Sequence, residues 1–237
     1  MIVGDTMIFE ELMIKLKNLG TEQNRKIYTR HGCDIDMFGV SISNLKKVAK
    51  TIKNGSELGV DLFHSKNLDA IYLSQWIVDF TSLTIDDYIE LIELSDYYII
   101  LDNVIPNILI KDQVLSKFVI SNWLKHNNHR YRQVAYAVYS LMLASYEIID
   151  INQVREIIEY ISKNIHNEQN RVKYSMNSFV ISAGIYLPEL TEYCLDVSSK
   201  IGKVDVFMGK TSCKVPNASE YINKVIKMNR IGKKRKL

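Results

Sequence analysis

The sequence predicts an all-α protein, more than half helical and without a β-sheet, on three observations. Only three prolines and ten glycines occur in 237 residues, below the usual shares of about 5% and 7%, so turn chemistry is scarce. Apolar residues recur every three or four positions in segment after segment, which is the period of a helix buried on one side. The links between those segments, such as SKN (65–67), KHNNH (125–129) and NIHNEQN (164–170), are short and polar, as connections between packed helices usually are.

Taken in chain order, the first residues, MIVGDTMIFEELM, carry Asp5, Glu10 and Glu11 and no Lys or Arg. They lack the basic start and unbroken apolar run of a secretory signal. In GVSISNLKKVAKTIK (39–53), Val40, Leu45, Val48, Ala49 and Ile52 form one stripe, with Ser41 or Ser43 placed to cap the helix start. A helix beginning near Asp96 would carry SDYYIILDN (95–103). The stripe returns in Val134, Val138, Leu141 and Met142, then in Val154, Ile157, Ile158 and Ile161, and again in Val172, Met176, Phe179, Val180 and Ala183. Periodicity breaks over IGKVDVFMGKTSCKVP (201–216), and a last amphipathic stretch covers about 217–228. The pattern predicts about a dozen helices of about 10 to 17 residues, paired in series. Repeats of about 35 to 45 residues point to an α-solenoid of the HEAT kind, which curves to offer a concave face. We expect one helical-repeat domain over 1–229 and a flexible basic tail over 230–237.

Apolar runs such as Tyr97–Leu101 are broken by charge long before the roughly 20 residues a bilayer requires. No membrane span is expected. The net charge of +3 is unevenly spread. Lys224, Lys227, Arg230, Lys233, Lys234, Arg235 and Lys236 face no acid after residue 223, leaving 23 bases against 27 acids, a net of −4, in residues 1–223. Such a tail is either an electrostatic arm for nucleic acid or a solvated terminus. Within the body, Thr84–Asp102 holds six acids and no base, whereas Lys111, Lys117, Lys125, Arg130 and Arg132 follow with Asp112 as their sole acid.

Few local patterns carry chemistry. Cys33, Cys194 and Cys213 are odd in number and share no C-x-x-C spacing, so reduced, packed or idle thiols in a cytoplasmic protein are expected rather than disulfides or zinc. The string GKTS (209–212) lacks the glycine that a phosphate loop needs five residues before Gly209, where Val204 stands. His126 and His129 are three apart, yet no Cys or Glu lies near enough to complete a metal site. No metal or other cofactor is expected. Tyr98 and Asp102 are four apart, so in a regular helix a ring and a carboxylate share one face. They form either a reactive pair or a packed tyrosine beside a surface acid.

The succession FGVSISNLKKVAK (38–50), SDYYIILDN (95–103), HRYRQVAYAVYSLM (129–142), KYSMNSFVISAG (173–184) and IGKVDVFMGKTSCKVPNASEYI (201–222) resembles the AlkD-like DNA alkylation repair family over nearly the whole chain. The resemblance implies a HEAT-like solenoid and, in the characterised enzymes, excision of cationic N3- and N7-alkylated purines without a metal or redox cofactor. The family motif resembles Trp-Asp-x-x-Asp; Tyr98 occupies the tryptophan place and Asp102 that of the second, catalytic acid. The family's basic partner is an arginine, where this chain has Gln133, with Arg132 one residue earlier. An alkylated purine is already cationic and leaves readily, so the implied task of Asp102 is to stabilise the oxocarbenium-like sugar and orient water. Tyr98 would pack on the deoxyribose. Arg130, Arg132, Gln133, Arg171 and Lys173, with Lys210 and Lys214 in the late loop, would contact DNA.

Three function classes stand open at this point. The first is a monofunctional alkylpurine glycosylase acting as a monomer on duplex DNA with alkylated or distorted bases. The second is a DNA-binding protein that recognises distorted or branched DNA without excision, as Tyr98 and Gln133 would allow. The third is a helical-repeat scaffold for another protein, which the −4 body would suit.

Overall fold

A computed structural model describes residues 8–52, 56–146 and 149–235. Of the residues singled out above, Asp5, Lys236 and Leu237 lie outside that range. Thirteen α-helices occur among the described residues, and the sole extended pairing is an isolated bridge between Asp36 and Asn67. The all-α, HEAT-like expectation holds. None of the described helices is long and apolar enough to cross a membrane. The contacts group the chain into two compact units, 1–108 with 209–211 and 109–208 with 212–237.

The first unit contains α1 (Phe9–Leu19), α2 (Glu22–Arg30), α3 (Ile42–Ala49), α4 (Ser56–Phe63), α5 (Leu68–Ser74) and α6 (Ile85–Leu94), followed by a π turn at Ile100–Val104 and the short α7 (Ile105–Leu109). Its core joins Leu12 and Leu16 of α1 to Val40, Leu45, Val48, Leu62 and Leu73. Each such aliphatic side chain stabilises the unit by about 1.5–3 kcal/mol when fully buried. Ser41 provides the cap of α3, accepting from the Asn44 N–H at 3.3 Å, so the helix starts just after it, at Ile42. Lining up the segment before α3 falls to α5. Its Asp69 is 1% exposed and accepts backbone N–H groups from Phe38 (2.6 Å), Gly39 (3.0 Å) and Val40 (2.8 Å). Burial pushes the Asp69 carboxyl up, and those three amides oppose the shift.

The second unit contains α8 (Gln113–Trp123), α9 (His129–Ser145), α10 (Ile151–Asn164), α11 (Asn170–Tyr186), α12 (Thr191–Ile201) and α13 (Ala218–Lys227). Packing of α9 on α11 forms its centre. There Phe179 lies between Tyr136 and Tyr139, with ring centroids 6.0 and 5.1 Å away. Val154, Ile158 and Ile161 are fully buried, as are Val172, Met176, Phe179 and Ala183, so the stripes read from sequence face the core. Around α9 burial is wider than one stripe, since Tyr131, Gln133, Ala135 and Tyr136 are covered as well.

Gly184 on α11 sits where a Cβ would lie 2.6 Å from Ile222 Cδ1 and 2.9 Å from Cys194 Cβ. Gly184→Ala is therefore expected to cost about 1–3 kcal/mol by overpacking. A lowered urea midpoint with unchanged slope would register it.

Residues 230–235, expected to be a flexible tail, are bonded to this unit. The Gly232 N–H donates to the Ile185 carbonyl at 2.8 Å, and the Arg235 N–H to that of Ala144 at 2.7 Å. Lys234 Nζ donates to Leu143 O at 2.7 Å. The reason is electrostatic: the last carbonyls of α9 and α11 have no intrahelical partner, and cations are stabilised at a helix C-terminus.

Candidate nucleic-acid interface

In the first unit Ser95 ends α6, accepts from the Tyr97 N–H at 2.9 Å and donates from its hydroxyl to Asp34. Helix resumes only at Tyr98 and passes at once into the π turn. There the Ile105 N–H bonds to the Ile100 carbonyl five residues back. The physical reason lies in Pro106. A proline inside a regular helix has no N–H and strikes the carbonyl four residues earlier, which here belongs to Asp102. A wider turn relieves that clash. The regular four-residue spacing assumed for Tyr98 and Asp102 is thus corrected: Asp102 lies within a π turn, so the same-face argument does not apply. Turns of this kind are rare and frequent at functional sites.

Both Tyr98 and Asp102 are half-buried. The Tyr98 ring has its centroid 5.1 Å from that of Tyr97, edge-on, and 6.1 Å from that of His31. Tyr28, whose hydroxyl donates to Val40 O at 2.7 Å, is raised to about 12 by burial and by Asp69, with smaller contributions from Tyr72, Tyr98 and Cys33. Burial also raises the Cys33 thiol to about 11, so little of it is thiolate near neutral pH. Sequence reading missed His31, Asp34 and Ser95. Asp34 and Ser95 are 61 residues apart, and no local spacing announces such a pair. Gly209–Thr211 also belongs to this unit. Gly209 has φ +79°, and a Cβ there would meet Arg30 O at 2.3 Å, while the Lys210 N–H donates to that carbonyl at 2.9 Å. Its side chain is exposed, as is that of Lys214.

In the second unit Asn128 caps α9 by accepting from the Arg130 N–H at 3.0 Å, which sets Arg130 and Arg132 in the first turn. Arg130 is half-buried. Arg132 is committed: Nη2 meets Glu168 Oε2 at 2.8 Å, and Nη1 donates to the carbonyls of His126 (2.6 Å) and Asn127 (2.9 Å). Gln133 is 1% exposed. His126 accepts from the Asn128 N–H at 3.1 Å and stacks on Tyr131 with centroids 4.3 Å apart, so its role is in shaping this turn. Among the described residues no group of three His, Cys, Asp or Glu comes together to hold a metal.

Lys173 lies in the first turn of α11, half-buried, beside Arg171. Arg171 donates to Met208 Sδ at 3.2 Å and lies over the Tyr174 ring at 4.9 Å. The late loop is stapled to the same helix. Asn170 bonds both the N–H (2.6 Å) and the carbonyl (2.8 Å) of Phe207, and Asn177 donates to Pro216 O at 2.9 Å. Basic side chains on α9, α11 and the loop therefore stand on fixed backbone.

The family model described as DNA alkylation repair enzyme matches residues 12–222. Protein Lin0241 of Listeria innocua serovar 6a is 30% identical over 221 residues, 91% of this chain and 96% of the relative. Protein Lmo0209 of Listeria monocytogenes serovar 1/2a is 29% identical over the same shares. A solved structure described as "a new family of proteins related to the HEAT-like repeat DNA glycosylases with affinity for branched DNA structures" superposes with a TM-score of 0.87. It is 27% identical and covers 98% of this chain and 99% of that one. With the all-helical fold and a match spanning most of the sequence, the chain belongs to the DNA alkylation repair enzyme family.

Proposed function

We propose that the protein binds DNA and recognises branched or otherwise distorted structures, acting as a monomer in the cytoplasm. One observation carries the reading: at the place of the family's basic partner stands the buried Gln133, and both terminal nitrogens of the neighbouring Arg132 are bonded to Glu168 and two carbonyls. The affinity for branched DNA ascribed to the solved relative supports it. Arg130, Lys173, Lys210 and Lys214, with Arg171 held on its ring and sulfur, supply the phosphate contacts in this reading. Arg132 drops out of that set.

Fluorescence anisotropy with a four-way junction and a linear duplex of equal length, at matched salt, tests it. Tighter binding of the junction is expected. Arg130→Ala and Lys173→Ala should each lower the salt slope by about one unit. Equal affinity for junction and duplex would sink the proposal.

A second reading, excision of cationic alkylpurines, is favoured by one feature, the carboxylate retained at Asp102. On that reading, wild type releases 7-methylguanine or 3-methyladenine from alkylated duplex. Asp102→Asn should then cut release by about 10²-fold or more, the usual cost of one preorganised electrostatic group. The exposed Asp96 provides the control, and Asp96→Asn should change little. Equal release by wild type and Asp102→Asn would remove Asp102 from the chemistry.

A further inference from the structure

The docked tail creates a cleft that neither Asp102 nor the loop uses. It opens between α13 and residues 230–235 in the second unit, encloses about 410 Å³ and is lined by Tyr186, Tyr221, Lys224, Arg230, Lys233 and Arg235 among others, with no Asp or Glu among the described residues of its wall. Two of its cations are tied down. Lys234 holds Leu143 O, and Arg235 donates to the Tyr186 hydroxyl at 2.9 Å with its guanidinium 5.8 Å from that ring. These bonds fix the wall. Lys224, Arg230 and Lys233 remain exposed at its rim. Tyr221 is 46% exposed and Met228 51% exposed, so apolar surface faces water beside those cations.

Three cations with no Asp or Glu among the described residues of the wall suit phosphates, and an exposed ring beside them suits the face of a base. Bases in a duplex have their faces covered by stacking, whereas an unpaired strand offers both groups at once. We propose that this cleft binds a single strand of DNA, with Lys224, Arg230 and Lys233 on phosphates and Tyr221 under a base. The inference rests on the reading as a binder of branched DNA, and identifies the part of a branch the cleft would hold: an unpaired arm.

Anisotropy with the full chain, on a labelled single strand of about 12 nucleotides, a fork with unpaired arms and a fully paired four-way junction, tests this. Arg230→Ala/Lys233→Ala should weaken strand and fork binding about 10-fold and lower the salt slope by about 1.4, at about 0.7 per phosphate contact on a single strand. Tyr221→Ala should weaken both about 10-fold with the slope unchanged, because stacking releases no counterion. All variants should melt like wild type and bind the paired junction like wild type. Wild-type affinity for strand and fork in these variants would overturn the cleft while leaving junction recognition standing. An equal loss on the paired junction would reduce the cleft to a general basic patch and overturn the strand assignment, as would competition by polyglutamate as strong as by oligonucleotide. Strand binding with no preference for junction over duplex would instead remove the parent reading. No binding to any oligonucleotide would remove both.

Discussion

Replacing Asp69 by alanine is expected to lower the unfolding free energy by about 3–5 kcal/mol, the largest effect anticipated for any single substitution considered. The carboxylate is 1% exposed and accepts three backbone N–H groups, from Phe38, Gly39 and Val40. Alanine leaves those amides without their acceptor in a place water reaches poorly, and each unsatisfied donor costs about 1–3 kcal/mol. The damage spreads, because the segment also receives the Tyr28 hydroxyl at Val40 and leads into the Ser41 cap of α3. Asp69→Asn keeps one carbonyl oxygen but turns an NH₂ toward N–H donors, so a loss of about 2 kcal/mol is expected. Urea unfolding followed by circular dichroism measures both. An alanine variant within about 1 kcal/mol of wild type would mean that the segment finds other acceptors.

Arg132→Ala should come next, costing about 3 kcal/mol in stability while leaving DNA affinity and its salt slope unchanged. Arg132 and Glu168 are 14% and 12% exposed, and their ion pair is closed at 2.8 Å. Removing one partner of such a shielded pair strands the other, which is far costlier than losing a surface bridge. The carbonyls of His126 and Asn127 also lose their donor. A double-mutant cycle with Glu168→Ala should give a coupling of about 1–3 kcal/mol. Should Arg132→Ala melt like wild type and lower the salt slope by about one unit, Arg132 would be a phosphate contact after all.

These two residues show where sequence reading stopped. Arg132 stands in a basic run, HRYR, and a run of cations reads as a nucleic-acid face because composition carries no record of where partners lie. Glu168, its partner, is 36 residues away. Asp69 gave no signal at all: it is an ordinary acid in LDAIYLS, and its three amides are about 30 residues earlier. The Tyr98 and Asp102 pair was found by spacing and by family resemblance, yet the spacing argument presumed a regular turn. Pro106, visible in the sequence, was the sign that the turn would widen.

What the sequence determined by itself is the all-helical class, the stripes that face each core, a cap for α3 at Ser41 or Ser43, and the resemblance to a DNA alkylation repair family. The first three are local or periodic, set by residues within a turn or two of one another, and the fourth is a succession of short motifs, so the order of residues suffices to specify them. Only the tertiary structure decided that Arg132 pairs with Glu168, that Gln133 is buried, that Asn170 and Asn177 staple the late loop, and that residues 230–235 dock. The ion pair, the staples and the docking each depend on a partner about 36 to 91 residues away in the chain. Such pairs form because orphaned carbonyls at helix ends and shielded charges must find complements wherever the fold brings them.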